Sequence, residues 1–143
     1  MRVFLDANIL IDIYDNTRKY HSYSSSTYEY LLKKNYQIFT SCDLITTIYY
    51  INSKINKRQA IFNIQDMNKI LKVIEFSNKE VEQTCQLMLE DSDYSDLEDT
   101  IQYIMAQKYE CDLIISNDKG FVSKEIKLMN SEAFIMFLEK QTT

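Results

Sequence analysis

Three short stretches place carboxylates where chemistry could use them. Asp6 follows the apolar run Val3-Phe4-Leu5, with Asn8 two residues further on. Asp96 and Asp99 stand three apart ahead of an apolar helical pattern, so they share one helical face. Asp118 follows the apolar run Leu113-Ile114-Ile115 and Ser116. Singly, each acid has a structural reading: a helix cap, a dipole partner, or a turn residue beside Lys119-Gly120. Together they have another. Several carboxylates brought to one place repel unless something positive joins them. Oxygen ligands suit Mg²⁺ or Mn²⁺. Such an ion activates water and stabilises charge on a phosphoryl oxygen. Phosphodiester hydrolysis is the reaction class this set would serve best.

Composition removes the competing chemistries. The chain has one glycine, Gly120, and no proline. A glycine-rich phosphate loop is therefore impossible, and Walker-type and Rossmann nucleotide binding go with it. The single His21 leaves little room for histidine-based zinc or acid–base sites. Cys42, Cys85 and Cys111 lack zinc-site spacing and read as free thiols in a reducing compartment. The formal charge of −5 carries no basic block, so nucleic-acid binding would need local cations or a bound metal. No leader-like segment and no apolar run of the ~20 residues needed to span a bilayer is found. A cytoplasmic protein without membrane contact is expected.

Those acids must be held by elements that alternate along the chain. Strands are expected at 3–5, 37–41, 73–76, 112–116 and 126–129. Helices are expected at 9–14, 20–34, 45–55 and 57–71, after Ser77, after Ser95 and after Ser131. Ser77 and Ser95 each open a Ser-x-x-Glu capping box. The Ser24–Thr27 run is read as a helix start with Glu29 in its first turn, and Ser41 or Asp43 as the cap of the helix after the second strand. Helix 57–71 would turn Ile61, Ile64, Met67, Ile70 and Leu71 inward, and the helix after Ser77 would turn Val81, Cys85, Met88 and Leu89 inward. Strict alternation of strand and helix means a three-layer α/β/α fold around a parallel sheet of about four to five strands. With 143 residues, 45% hydrophobic and 26% charged, one domain over residues 1–143 is expected. In such a sheet, ligands bind at the C-terminal ends of the strands, where Asp6 and Asp118 fall.

Asp6-Ala7-Asn8-Ile9-Leu10, then Asp96-Leu97-Glu98-Asp99-Thr100-Ile101-Gln102, then Ser116-Asn117-Asp118-Lys119-Gly120-Phe121 resembles the PIN domain. That family includes the ribonuclease toxins of bacterial and archaeal VapBC-type toxin–antitoxin pairs. The resemblance spans essentially the whole chain. It implies that Asp6, Asp99 and Asp118 are metal-site acids and that Asp96 is an additional catalytic acid nearby. It further implies that Asn8 orients Asp6 and that Ser116 hydrogen-bonds within the site. The family usually carries a further acid, commonly Glu, in the helix after the second strand. Thr47, or else Thr46, stands there in this chain, which leaves a second metal without its usual ligand. The implied activity is Mg²⁺- or Mn²⁺-dependent cleavage of single-stranded RNA by a metal-activated water, leaving a 3′-hydroxyl and a 5′-phosphate. The implied partners are RNA, an antitoxin protein and a second copy of the chain.

Two alternatives stand beside this reading. Thr47 favours a PIN fold with weakened catalysis that serves in binding or assembly. A receiver domain or a haloacid-dehalogenase-type phosphatase fits less well, because the former needs paired acids after strand one and the latter an acid where Asn8 stands. Arg18, Lys19, His21 and Lys119 could meet RNA phosphates or simply line polar loops. Tyr49, Tyr50 and the 57–71 helix could line an antitoxin groove or pack in the core.

Overall fold

A computed structural model describes residues 1–142; Thr143, the last residue of the expected domain, lies outside the described residues. Five strands form one sheet: β1 (Arg2–Leu5), β2 (Gln37–Ser41), β3 (Lys72–Ile74), β4 (Leu113–Ile115) and β5 (Lys127–Met129). Every pairing is parallel and the order is β3-β2-β1-β4-β5. Val3, Phe4 and Leu5 in the central strand are wholly buried, as are Ile114 and Ile115 beside them. That explains why these strands are continuous apolar runs and do not alternate.

Seven helices cover the sheet among the described residues: α1 (Ala7–Ile13), α2 (His21–Lys33), α3 (Leu44–Asn52), α4 (Lys57–Ile70), α5 (Asn78–Glu90), α6 (Leu97–Lys108) and α7 (Ser131–Thr142). Packing divides them into two groups. In one, α1 lies against α2 and α3, α2 against α7, and α3 against α4. In the other, α5 packs on α6, which rests on β2. This is the three-layer α/β/α architecture the alternation predicts. None of the described helices is long and apolar enough to cross a membrane.

The register decides where the site can be. Leu5 pairs with Ile115, and the Asp6 amide donates to the Ile115 carbonyl at 3.1 Å. The chain runs from β1 outward to β2 and β3, then returns to the other flank of β1 as β4. The crevice between β1 and β4 is therefore the switch point of a doubly wound sheet.

Several helix boundaries differ from expectation, for local reasons. α2 begins at His21, so the Ser24–Thr27 run lies inside it; Ser24 and Thr27 are wholly buried and spend their hydroxyls on tertiary partners. Asn35 does end this helix, at φ 55°, with the Asn35 and Tyr36 amides donating to Leu32 and Leu31, a Schellman closure. The cap of α6 is Asp96, one residue beyond Ser95, and the cap of α7 is Asn130, which accepts from the Ala133 amide at 2.7 Å. Neither Ser41 nor Asp43 caps α3 with its side chain. The inward faces of α4 and α5 differ in part from expectation. In α4, Met67 and the adjoining Leu71 are buried and Ile64 packs on the core, but Ile61 and Ile70 face out while Ala60 and Asn63 are buried; in α5, Met88 packs on the core, but Val81, Cys85 and Leu89 face out while Glu80 and Thr84 are buried.

Candidate active site

Asp6 sits at the tip of β1, is 4% exposed, and is the N-cap of α1. The structural and chemical readings of this residue therefore coexist. Its Oδ1 accepts from the Ala7 amide at 2.6 Å. Its Oδ2 accepts from the Ser116 hydroxyl at 2.7 Å and from the Asn8 amide at 3.2 Å. The expected orienting roles of Asn8 and Ser116 thus have hydrogen bonds behind them. Asn8 also accepts from the Asn117 amide at 3.1 Å, which stitches the loop after β4 to the start of α1. Burial pushes the Asp6 carboxyl above its usual range; the bonds from Ser116 and Ala7 oppose that, and the charge of Asp118 adds to it.

Asp99 and Asp118 come from opposite sides of the crevice. Asp99 projects from the first turn of α6, whose cap Asp96 accepts from the Asp99 amide at 2.9 Å. Asp118 closes a turn by accepting from the Gly120 amide at 2.8 Å. The Asp99 and Asp118 carboxyls lie close enough to share a proton. Burial, that contact, and the negative charges of Asp118, Asp6 and Asp96 push Asp99 up to about 8.

Two acids outside the expected set join the group. Glu98 is raised first by burial, then by Asp43, Asp6, Asp96 and Asp118. Asp43 follows β2 and accepts from the Ser41 hydroxyl. Six carboxylates, Asp6, Asp43, Asp96, Glu98, Asp99 and Asp118, thus occupy one electrostatic neighbourhood. None of them takes part in an ion pair among the described residues. The sequence signals for the two additions were weak, since Glu98 doubles as a capping-box acid and Asp43 as a helix cap. Thr47 is half-buried on α3 and its hydroxyl joins none of these hydrogen bonds. Arg18 and His21 are turned to Asp12, the former by an ion pair at 2.6 Å and the latter through the Asp12 carbonyl at 2.7 Å.

Beneath the acids lies Gln102, wholly buried, with neither amide atom hydrogen-bonded. Leaving such a group unpaired costs about 1–3 kcal/mol.

A family description of the PIN domain matches residues 2–120, a span that includes every acid of this group. The chain belongs to the PIN-domain family. This PIN domain is 44% identical over 133 residues to Ribonuclease VapC1 of Aquifex aeolicus (strain VF5), covering 93% of this chain and 92% of that protein. Among solved structures it resembles VapBC2 from Rickettsia felis bound to a promoter DNA fragment, with a TM-score of 0.69 at 20% identity, covering 91% of this chain and 98% of that one. It also resembles Mycobacterium tuberculosis VapC20, a Sarcin-Ricin loop cleaving toxin, with a TM-score of 0.67 at 11% identity, covering 83% and 92%. At such identities the likeness is one of fold. Its five-stranded parallel sheet with helices on both faces is the PIN arrangement.

Proposed function

We propose that this PIN domain is a divalent-metal-dependent endoribonuclease acting on single-stranded RNA in the cytoplasm, and the toxin of a toxin–antitoxin pair. The juxtaposition of Asp6, Asp99 and Asp118 at the switch point carries the reading. Three acids of one sign, Asp6 buried, Asp99 half-buried and Asp118 exposed at the rim, none with an ion-pair partner among the described residues, form a site that favours a positive charge. The donor set is all oxygen, which fits Mg²⁺ or Mn²⁺. Among the described residues no three such side chains already enclose a point where an ion could sit. The similarity to Ribonuclease VapC1 supports the choice of RNA, the fold shared with VapC20 supports a toxin, and the fold shared with VapBC2 supports an antitoxin partner.

Asp6, Asp99 and Asp118 would hold the ion, with Asp96, Glu98 and Asp43 around them. A bound cation would supply a nucleophilic water at neutral pH and charge stabilisation at the phosphoryl oxygen. The chain's own contribution is orientation. Ser116, Asn8 and the Ala7 amide aim Asp6, while Asn117 locks the loop that carries Asp118. Exposed Lys119, next to Asp118, would be the cation available to a substrate phosphate.

The test is cleavage of a single-stranded RNA with added Mn²⁺ by wild type and Asp6→Asn. Wild type should cut and leave 5′-phosphates; Asp6→Asn should fall by more than about 100-fold. Wild-type protein that binds no Mn²⁺ and cuts nothing would sink the enzyme reading and leave the binding or assembly role that Thr47 favours.

A further inference from the structure

The end of the sheet away from the acids carries charge of the other sign. Arg2, Gln37 and Lys72 are the first residues of β1, β2 and β3, so all three stand at the N-terminal edge of the sheet. Asp6 follows the opposite end of β1, beyond four residues, or about 13 Å, of strand. The three residues border a cavity of about 490 Å³, and none of the residues lining it is acidic, in a chain of formal charge −5. Lys72 is exposed and takes part in no ion pair among the described residues. Arg2 is half-buried, and its guanidinium likewise has no carboxylate partner among them. Its Nη1 donates to the Tyr109 carbonyl at 2.6 Å, at the end of α6. Asp112 accepts from the Arg2 backbone amide at 2.8 Å and, with Glu110, lines a neighbouring cavity. A guanidinium has five N–H donors, so capping α6 leaves most of them for a ligand.

The remaining walls are aromatic and aliphatic. Phe39 and Tyr109 both line the cavity, with ring centroids 5.4 Å apart, and Tyr36 joins them. Ile70, which periodicity alone would turn into the core, is 46% exposed and borders this space. Small-molecule sites have this make-up: about 300–1,000 Å³, mostly apolar and aromatic walls, and a few convergent polar groups. A helix cap explains Arg2 alone; it explains neither the free charge of Lys72 nor the apolar wall between the two cations.

We infer that this cavity is a second binding site, remote from the acids, for an aromatic anion of mononucleotide size. The flat ring lies against Tyr36, Phe39, Ile70 and Tyr109, and the anionic group meets Arg2 and Lys72. A nucleoside 5′-phosphate has both parts, whether it is free or forms the end of an RNA chain. The same anion is repelled by the acid cluster in the absence of a cation, so binding in EDTA reads this cavity alone.

The experiment is calorimetric titration of the full chain in EDTA with adenosine 5′-monophosphate, adenosine, inorganic phosphate and a short single-stranded RNA carrying a 5′-phosphate. The monophosphate should bind. Adenosine and inorganic phosphate should each bind about tenfold more weakly, since each lacks one half of the contact. Lys72→Glu reverses the charge at an exposed position, and Ile70→Trp fills the cavity from its rim. Both should weaken the monophosphate about tenfold with unfolding midpoints at the wild-type level. The 5′-phosphorylated RNA binding as tightly as the monophosphate, and weakened by both variants, makes an RNA end the ligand; binding of the monophosphate alone makes it a free nucleotide. No monophosphate binding at millimolar concentration overturns the site. So does adenosine or inorganic phosphate binding as well as the monophosphate, or an affinity unchanged in folded Lys72→Glu or Ile70→Trp.

Discussion

Asp6 and Asp12 lie six residues apart, at the start of and within one short helix, and both are buried, at 4% and 2% exposure. Their surroundings are opposite. Asp12 meets the Arg18 guanidinium at 2.6 Å, the Ser24 hydroxyl at 2.8 Å and the Asn117 amide at 3.0 Å. Asp6 is held by neutral donors alone and faces further carboxylates. A buried acid supplied with a cation by its own chain is a device of the fold. A buried acid supplied only with more acids is waiting on something from outside. The same residue type, at the same depth, thus separates into structure and chemistry by partner rather than by burial.

The largest test of that contrast is stability. Asp12→Ala leaves Ser24 without its acceptor, Asn117 with the Ser24 hydroxyl alone and Arg18 without its carboxylate. It should cost roughly 3–5 kcal/mol, read from denaturant unfolding. Asp6→Asn, measured in EDTA, removes a charge that its surroundings disfavour and should cost nothing or stabilise. Equal losses at the two positions would erase the distinction.

Asn117 stands between the two acids and belongs to both. Its amide donates to Asp12 at 3.0 Å and Ser24 at 3.2 Å, and its carbonyl accepts from the Ser131 amide and hydroxyl, each at 2.9 Å. Its backbone amide meanwhile holds Asn8. Asn117→Ala should therefore lose about 2 kcal/mol of stability and retain the Asn8 contact. RNA cleavage by the surviving folded protein should fall only modestly. Loss of all cleavage at full stability would mean that Asn117 serves the chemistry directly.

These partners also explain what could be read in the sequence and what could not. Asp6 and Asp118 were legible because apolar runs announce buried strands, and acids at strand ends fall at the switch point. Asp99 was legible from its spacing to Asp96. Asp12 was not, because its partner Asn117 lies 105 residues away and its Arg18 looked like a loop cation. The Ser24–Thr27 run carries strong cap formers, and tertiary contacts overrode that local signal. In α4 and α5 periodicity favoured the larger apolar side chains. Met67 does pack inward as its spacing predicts, but the buried faces also use Ala60 and Thr84, which let helices approach, and a Glu80 paired to Lys108 at 3.2 Å.

The electrostatic half of the contrast is tested by protons. Asp99 is raised from 3.8 to about 8, chiefly by burial and then by Asp118. A group raised on folding contributes stability that is full below its unfolded value and lost as pH rises through its folded one. In EDTA the protein should therefore lose stability between about pH 4 and pH 8. Asp15, lowered by its bonds from Thr17, acts the other way only below that window. A Mn²⁺ ion held by Asp99 would compete with the proton on that carboxyl, so binding at pH 7 should release close to one proton and tighten toward pH 8. Calorimetry in two buffers of different ionisation enthalpy reads that release directly. No proton release, with Mn²⁺ bound, would mean that Asp99 is already ionised and does not share a proton with Asp118.

The smallest effect concerns the third wall of the site, after β2. If Thr47, rather than Thr46, stands where the resemblance expects a glutamate, Thr47→Glu should tighten Mn²⁺ by restoring a charged ligand. Asp43, however, already brings a carboxylate to Glu98 from the same connection. A new glutamate would join six acids and be paid back in part by added repulsion, which keeps the gain to roughly threefold at neutral pH. Asp43→Asn removes a charge that Glu98 feels and should weaken Mn²⁺ by about as much. The two substitutions together separate the cases. If Thr47→Glu rescues Asp43→Asn, the β2–α3 wall needs one carboxylate and accepts it from either position. If the two effects are independent, Thr47 faces a second cation position that Asp43 does not reach. A titration in which Thr47→Glu leaves Mn²⁺ affinity unchanged, with Asp43→Asn weakened, would make Asp43 the acid of this wall and Thr47 a packing residue of α3.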